Sequence, residues 1–314
     1  MAAIEGSSQS LPTRPLSASQ MSSPTSLTKS INRRVASLQK RPRSSCQGRI
    51  TQLATRKFDE YLSIQRLPWA GVFLETNNFM LAIDPLAKDP TASDTTLMTK
   101  HWGACEKSTA DAVLITHTRA DHYDVDVLHK ILKPDGVIVC AKESEAKIQK
   151  DGFQTRGLDR YKIAALGPFN VTALPAVDGL GEPRISFFIE LDAIRMIHCG
   201  DTLWHGYWYR WATDYGPLTV IFVPISGALV EVPGVSATNV AVVMTPPQAA
   251  AADVLCAQLV IPTHYGWPAH PKGFEEQPNA LEEFEREARR RNLNYRVLEL
   301  GEEIELDRAP PTAD

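Results

Sequence analysis

Beyond about residue 58 the chain is written in short apolar runs broken by polar turns. YLSIQRL (61–67), AGVFLET (70–76) and FMLAIDP (79–85) have the apolar content and length of strands, and the polar pair Asn77–Asn78 joins the last two as a hairpin. DAVLITH (111–117) predicts a strand that ends at a histidine. DVDVLHKIL (124–132) and KESEAKIQK (142–150) predict helices flanking the buried strand GVIVCA (136–141). KIAAL (162–166), NVTALPAV (170–177), RISFFIEL (184–191) and AIRMIHCGD (193–201) form a strand-rich stretch whose members can pair antiparallel.

The last third alternates between the two kinds of element. Strands are predicted at LTVIFVPI (218–225), LVIPTHYG (259–266) and YRVLEL (295–300), with helices at PPQAAAADVLCAQ (246–258) and NALEEFEREARRR (279–291). The second helix opens with Asn279 and has Glu282 three positions later, a capping-box-like start. Sheets covered by helices, an α/β (α+β layered) fold, follow from this order. No internal repeat is visible, and the one clear boundary falls near residue 58.

Charge sharpens that boundary. Residues 1–58 carry ten basic residues against the single acid Glu5, whereas the remainder carries 23 basic and 36 acidic residues. The leader is rich in serine and holds little that could pack, which predicts a disordered arm over 1–58 and one folded domain over 59–314. Inside the arm, Leu27, Ile31, Val35 and Leu38 share one helical face amid basic residues, a texture like that of an organellar transit peptide; a solvated tail is the plainer alternative. The acidic body argues against nucleic acid as a substrate. No apolar run approaches the roughly 18 residues of a membrane span. Five scattered cysteines without a C-x-x-C pair point to a reducing compartment: the cytoplasm, or an organelle matrix if the leader is a transit peptide.

The chemistry gathers at strand ends. THTRADH (116–122), AVDG (176–179), HCGDT (198–202) and PTHYG (262–266) each follow an apolar strand, so each places polar groups on a rim where loops meet. Imidazoles and carboxylates converging there are the ligand set for a divalent transition metal. Adjacent Asp121 and His122 can grip one ion from two directions on an irregular turn. A single such feature carries little, since a lone GDT is usually a turn; four of them in this order carry far more.

Residues 61–306 resemble the metallo-β-lactamase superfamily, and within it most resemble the branch similar to the ascorbate-6-phosphate lactonases. The family motif H-x-H-x-D-H falls on His117, Arg119, Asp121 and His122. The opening WAGVFLETNNFMLAIDP, ending at Asp84–Pro85, is similar to the family's first hairpin, GDT at 200–202 to the strand bearing the bridging carboxylate, and IPTHYG to that bearing the last histidine, His264. The resemblance implies a four-layer αββα sandwich with metal at the sheet edges. It also implies that Asp121, His122, Asp201 and His264 hold one ion. The family's first metal site is altered here: Arg119 stands where the second histidine of the pair belongs, and Asp178 stands near the position of a later-strand histidine.

Arginine neither deprotonates nor ligates. A guanidinium at Arg119, oriented by Asp178, would therefore substitute for part of the missing ion's charge. His117 is left as a hydrogen-bonding partner of Asp201 or a proton shuttle, and His117 and Asp178 stay as additional candidate ligands. The expected activity is that of a mononuclear metallohydrolase acting on a lactone, ester, amide or phosphodiester of a small molecule. Asp121, Arg119 and His117 are its candidate catalytic residues, and water acidified by the ion its nucleophile. Zinc suits two nitrogen and two oxygen donors best, with iron or manganese fitting almost as well. The alternative is a non-catalytic binding or regulatory protein whose first metal site is plugged by Arg119 and Asp178. The aromatic run Trp204–Trp211 reads equally as a pocket wall or a helix packing face. SGALVEVPGVSATNVAVVMTPP (226–247) reads as core and loop or as an apolar lip. His101, His129 and His270 have no convergent partners in sequence, and Cys199 reads as a small buried apolar residue.

Overall fold

In β4 (Ala110–Ile115), Ala112 and Leu114 point to one side, Val113 and Ile115 to the other, and all four are fully buried. A strand buried on both faces lies inside a layered structure rather than at its surface. The protein, a computed structural model, is described over residues 61–86, 109–181, 183–231, 240–266 and 274–307. The leader 1–58, His101, His270 and part of the 226–247 stretch lie outside the described residues.

The strands in chain order are β1 (Tyr61–Arg66), β2 (Val72–Thr76), β3 (Phe79–Ile83), β4, β5 (Leu132–Ala141), β6 (Thr155–Leu158), β7 (Ile163–Leu166), β8 (Phe169–Pro175), β9 (Ile185–Leu191), β10 (Ile194–His198), β11 (Val220–Pro224), β12 (Leu229–Val230), β13 (Leu259–Thr263), β14 (Phe274–Glu275) and β15 (Glu303–Asp307). They form a seven-stranded sheet, β15-β1-β2-β3-β4-β5-β6, a six-stranded sheet, β13-β11-β10-β9-β8-β7, and the small pair β12-β14. Pairing is antiparallel from β15 to β3 and parallel from β3 to β6. In the second sheet β7 to β10 pair antiparallel, and β10, β11 and β13 run parallel.

The inner faces meet in one apolar core that includes Leu74, Leu81, Leu114 and Val139 from the first sheet and Val171, Phe187, Met196 and Phe222 from the second. Helix α1 (Val125–Ile131) covers the outer face of the first sheet with Val127, Leu128 and Ile131, and α2 (Glu145–Lys150) adds Ile148. Helix α3 (Tyr207–Asp214) covers the outer face of the second sheet with Trp208 and Trp211, α4 (Pro246–Ala250) with Ala249 and Ala250, and α5 (Ala280–Arg291) with Phe284 and Ala288. The expected αββα layering is therefore present. Among the described residues, no helix is long and apolar enough to cross a membrane.

Several elements differ from expectation: Asn279 before α5 is left-handed and makes no side-chain capping bond, and β5 begins at Leu132, where helix was expected. YRVLEL supplies a single bridge at Tyr295, and the final strand is β15, paired with β1. The alternation of EIELD places Ile304 in the core, which suits an edge partner better than the less regular run before it. PPQAAAADVLCAQ is α-helical only over Pro246–Ala250 and tightens to 3₁₀ over Ala251–Leu255, ending at left-handed Cys256.

The parallel strands and β8 end on one edge, and the two sheets are pinned together there. Ile185 N–H donates to the Thr116 carbonyl (3.1 Å), and His264 N–H to the Trp69 carbonyl (3.0 Å). Gly200 has φ +58° and lies so close to Thr116 that a Cβ would come within 2.8 Å of its Cγ2. Only glycine meets both demands without strain. Gly200→Ala is expected to lower stability by about 1–3 kcal/mol in urea unfolding. An unchanged midpoint would show that this edge yields freely.

A candidate metal centre at the sheet edge

Each site residue stands just beyond a strand. Asp84 follows β3, His117 follows β4, Asp178 follows β8, Asp201 follows β10, Ser226 follows β11 and His264 follows β13; Arg184 immediately precedes β9. The turn after His117 is closed by the Arg119 carbonyl, which accepts from the N–H groups of His122 (3.0 Å) and Tyr123 (2.8 Å). Asp124 then caps α1, its carboxylate accepting from Asp126 N–H (3.1 Å) and Val127 N–H (3.2 Å). Between these two anchors Asp121 and His122 are presented to the edge. Asp84 and His264 hold left-handed backbone (φ 42° and 56°), a conformation non-glycine residues keep only where their surroundings impose it.

Asp121, His122, Asp201 and His264 each offer a ligand atom, all within 4.8 Å of one another. His264 Nε2 and His122 Nε2 lie 2.8 and 3.0 Å from Asp201 Oδ1, and His122 Nε2 lies 3.9 Å from Asp121 Oδ2. The two nitrogens and Asp201 Oδ1 are buried and face one another at ion-pair distance without well-aligned hydrogen bonds. Three buried polar atoms facing one point with poorly aligned contacts are costly unless something binds them. Donors about 2.0–2.2 Å from one ion stand roughly 3.3 Å apart, within the spread seen here. The residues fit a divalent ion.

The surroundings fix the imidazoles for that task. Asp84 Oδ2 meets His122 Nδ1 at 2.7 Å, and the same carboxylate accepts from the Thr116 hydroxyl (2.5 Å) and, through Oδ1, from Thr116 N–H (2.8 Å). Ser226 Oγ meets His264 Nδ1 at 2.9 Å. With Nδ1 engaged outward, each Nε2 lone pair faces the cluster. Burial disfavours a charged His122, but Asp201, Asp84 and Asp121 outweigh it and raise its pKa well above the ordinary histidine range. Burial likewise pushes Asp201 upward, and the charges of His122 and His264 overcome it, holding the carboxyl well below its usual range. Both shifts mark a place built to hold positive charge, where a bound divalent ion would take the place of protons.

The sequence reading put Arg119 beside Asp178 as a substitute cation. The guanidinium that the structure brings into the cluster is that of Arg184. Its Nε pairs with Asp178, and its Nη1 donates to Asp201 Oδ2 (2.9 Å) and His117 Nε2 (2.9 Å). Arg119 is half-buried on the turn, where its carbonyl does the visible work. His117 lies 3.8 Å from Asp201 and accepts from Arg184, so its ring is neutral. Burial, His122 and Arg184 all drive its pKa well below the ordinary value, against the pull of Asp201. Its Nδ1 sits 3.2 Å from the Thr116 hydroxyl, which links it to Asp84. Arg184 and Ser226 escaped the sequence reading. The signal for either was position, one residue before β9 for Arg184 and two after β11 for Ser226, on the edge that carries the histidines.

A family model described as "Beta-lactamase superfamily domain" matches residues 83–265, more than half of the chain and every residue of this cluster. The chain belongs to the metallo-β-lactamase superfamily. A metal-dependent hydrolase of Rubrobacter xylanophilus is 28% identical over 211 residues, covering 62% of this chain and 78% of that protein. One of Thermococcus kodakarensis is 27% identical, covering 64% and 84%. Among solved structures, Igni18, a metallo hydrolase of Ignicoccus hospitalis, superposes with a TM-score of 0.60 at 21% identity, covering 78% of this chain and 98% of that one, a likeness of fold.

Of the two roles weighed for the aromatic run after Asp201, the structure shows helix packing. In this superfamily member Trp208 and Trp211 are fully buried under the second sheet, whereas Tyr207 and Tyr209 are exposed. His205 lies among them, its ring 5.1 Å from Trp211 and 5.7 Å from Trp208, with both ring nitrogens buried and unpartnered. Burial lowers its pKa to about 4. Above the ordinary value of about 6.5 the ring is neutral in both folded and unfolded chains; between there and about 4 the unfolded chain binds the extra proton, so stability falls as pH falls. His205→Phe is expected to lose less stability than wild type between pH 7 and pH 4.5 in urea titrations. Equal losses in the two proteins would contradict a buried neutral His205.

Proposed function

We propose that the chain is a mononuclear metal-dependent hydrolase of small molecules. Asp121, His122, Asp201 and His264 hold the ion, and zinc is the first choice for two imidazoles and two carboxylates. The observation that carries the reading is the convergence of three buried ligand atoms on one point beside Asp121. The names of the relatives, metal-dependent hydrolases, support the reaction class.

When bound, the ion supplies Lewis acidity, polarising a carbonyl or phosphoryl oxygen and lowering the pKa of a water to about 7. The chain's own groups do the rest. Asp121, whose carboxylate is the most exposed of the four ligands, is placed to take the proton of the attacking water. Asp84 and Ser226 keep His122 and His264 in the ligating orientation. His117, neutral and tied to Arg184 and Thr116, orients Asp201 rather than carrying protons. Lactones, carboxylic esters, amides and phosphodiesters share the demand for an acidified water and a polarised oxygen. The resemblance of the motif set to the lactonase-like branch puts lactones first. Exposed Val177, Tyr207 and Val240 give the substrate apolar surface near the edge loops, since the 177–181 segment is tied to Thr202, Leu203 and Val242 by hydrogen bonds.

The purified protein is expected to hold about one transition-metal ion per chain, and His264→Ala to lose it together with hydrolysis of any lactone or ester found by screening. Elemental analysis of protein produced with zinc, iron or manganese measures this. No bound ion under any supply would overturn the reading.

A further inference from the structure

We propose that Arg184 is a fixed cation seated in a second cation site, and that by filling it the guanidinium limits the protein to one bound metal ion. The inference rests on the metal site proposed above. Among the described residues, Arg184 meets three acceptors: the carboxylates of Asp178 and Asp201 and the Nε2 of His117. One imidazole nitrogen and two carboxylates make a ligand set of the same kind as the neighbouring cluster. All three are buried, with side chains 3%, 6% and 1% exposed, and Arg184 is 2% exposed. This is a coordination pocket whose occupant is covalently attached.

Asp201 joins the two positions. Its Oδ1 faces His122 and His264, and its Oδ2 faces Arg184. The carboxylate thus lies between a metal on one side and a guanidinium on the other, where a bridging ligand between two cations would lie. Four carboxylates, Asp84, Asp121, Asp178 and Asp201, surround the two positions; Arg184 supplies one positive charge, and a divalent ion would supply two. A second divalent ion would have to displace a guanidinium that already holds Asp178 and Asp201 Oδ2 and that cannot lose its proton.

The arrangement also positions the first site. Asp178 anchors the guanidinium, its Oδ1 in turn accepting from Gly181 N–H at 2.9 Å, and the guanidinium holds Asp201 Oδ2. Oδ1 is thereby left facing His122 and His264 before any ion arrives. Arg184 acts through Asp201, as a positioning residue for the metal site.

The test is metal stoichiometry in the full-length chain, with zinc and cobalt(II) as probes, read by elemental analysis and calorimetric titration. Wild type is expected to take one ion, Arg184→Ala two, and Arg184→Lys, which keeps the charge, one. A folded Arg184→Ala that still takes one ion overturns the inference and leaves the metal-site reading intact, whereas a wild type that takes none overturns that reading itself. Two ions in the wild type, or in Arg184→Lys, contradict a filled second site. Without its cation, Arg184→Ala leaves Asp178 and Asp201 uncompensated, a defect that can unfold the metal-free protein. Excess zinc during refolding is then expected to restore the melting transition with two ions bound. A variant that stays unfolded in excess zinc counts against the proposal.

Discussion

The sheet edge depends on how the single carboxylate of Asp201 is shared. Buried and charged, it is tolerable only with polar partners on both oxygens, and it has them: two imidazole nitrogens beside Oδ1 and a guanidinium on Oδ2. Removing one partner of such a buried pair costs about 3–5 kcal/mol, several times the worth of an exposed ion pair. The same carboxylate therefore stabilises the edge and sets the electrostatics of the site. The shifts of His122 upward and Asp201 downward follow from this mutual dependence.

Geometry makes the sharing possible. The first sheet contributes Asp84, His117 and His122 from the ends of β3 and β4, and the second contributes Asp178, Asp201 and His264 from the ends of β8, β10 and β13. Neither sheet holds enough donors alone. Ridges of packed apolar side chains between the sheets fix their separation, and interiors packed at crystal-like density transmit that fix to the edge. Left-handed backbone at Asp84, Gly200 and His264 turns the chain sharply at the points where donors must face inward. Hydrogen bonds from Thr116 to Asp84 and onward to His117 tie the outer layer of the site into a single connected unit.

Much of this was legible in the sequence. Alternating and fully apolar runs mark strands because side chains on a strand alternate faces, and polar residues at their ends mark a rim; both held for β2 to β4 and for β8 to β13, apart from the short β12. Asp121, His122, Asp201 and His264 were readable because each lies in a polar segment that follows an apolar strand, β4, β10 or β13. The compensating arginine was not. Arg119 sits inside the motif and so draws attention, but Arg184 reaches the site only because β9 runs antiparallel between β8 and β10 and brings its first residues to the edge where their last residues lie. Strand direction is a tertiary property, invisible to local spacing. Ser226 was missed likewise, because a serine after a strand is ordinary until the neighbouring strand places His264 Nδ1 against it.

The most direct measurement of the central claim is anomalous diffraction at the zinc edge from crystals grown with zinc in excess. One peak among Asp121, His122, Asp201 and His264, with the Arg184 guanidinium seated between Asp178 and Asp201, is the expected result. Two peaks, with Arg184 turned away and a second ion on His117, Asp178 and Asp201, would contradict it.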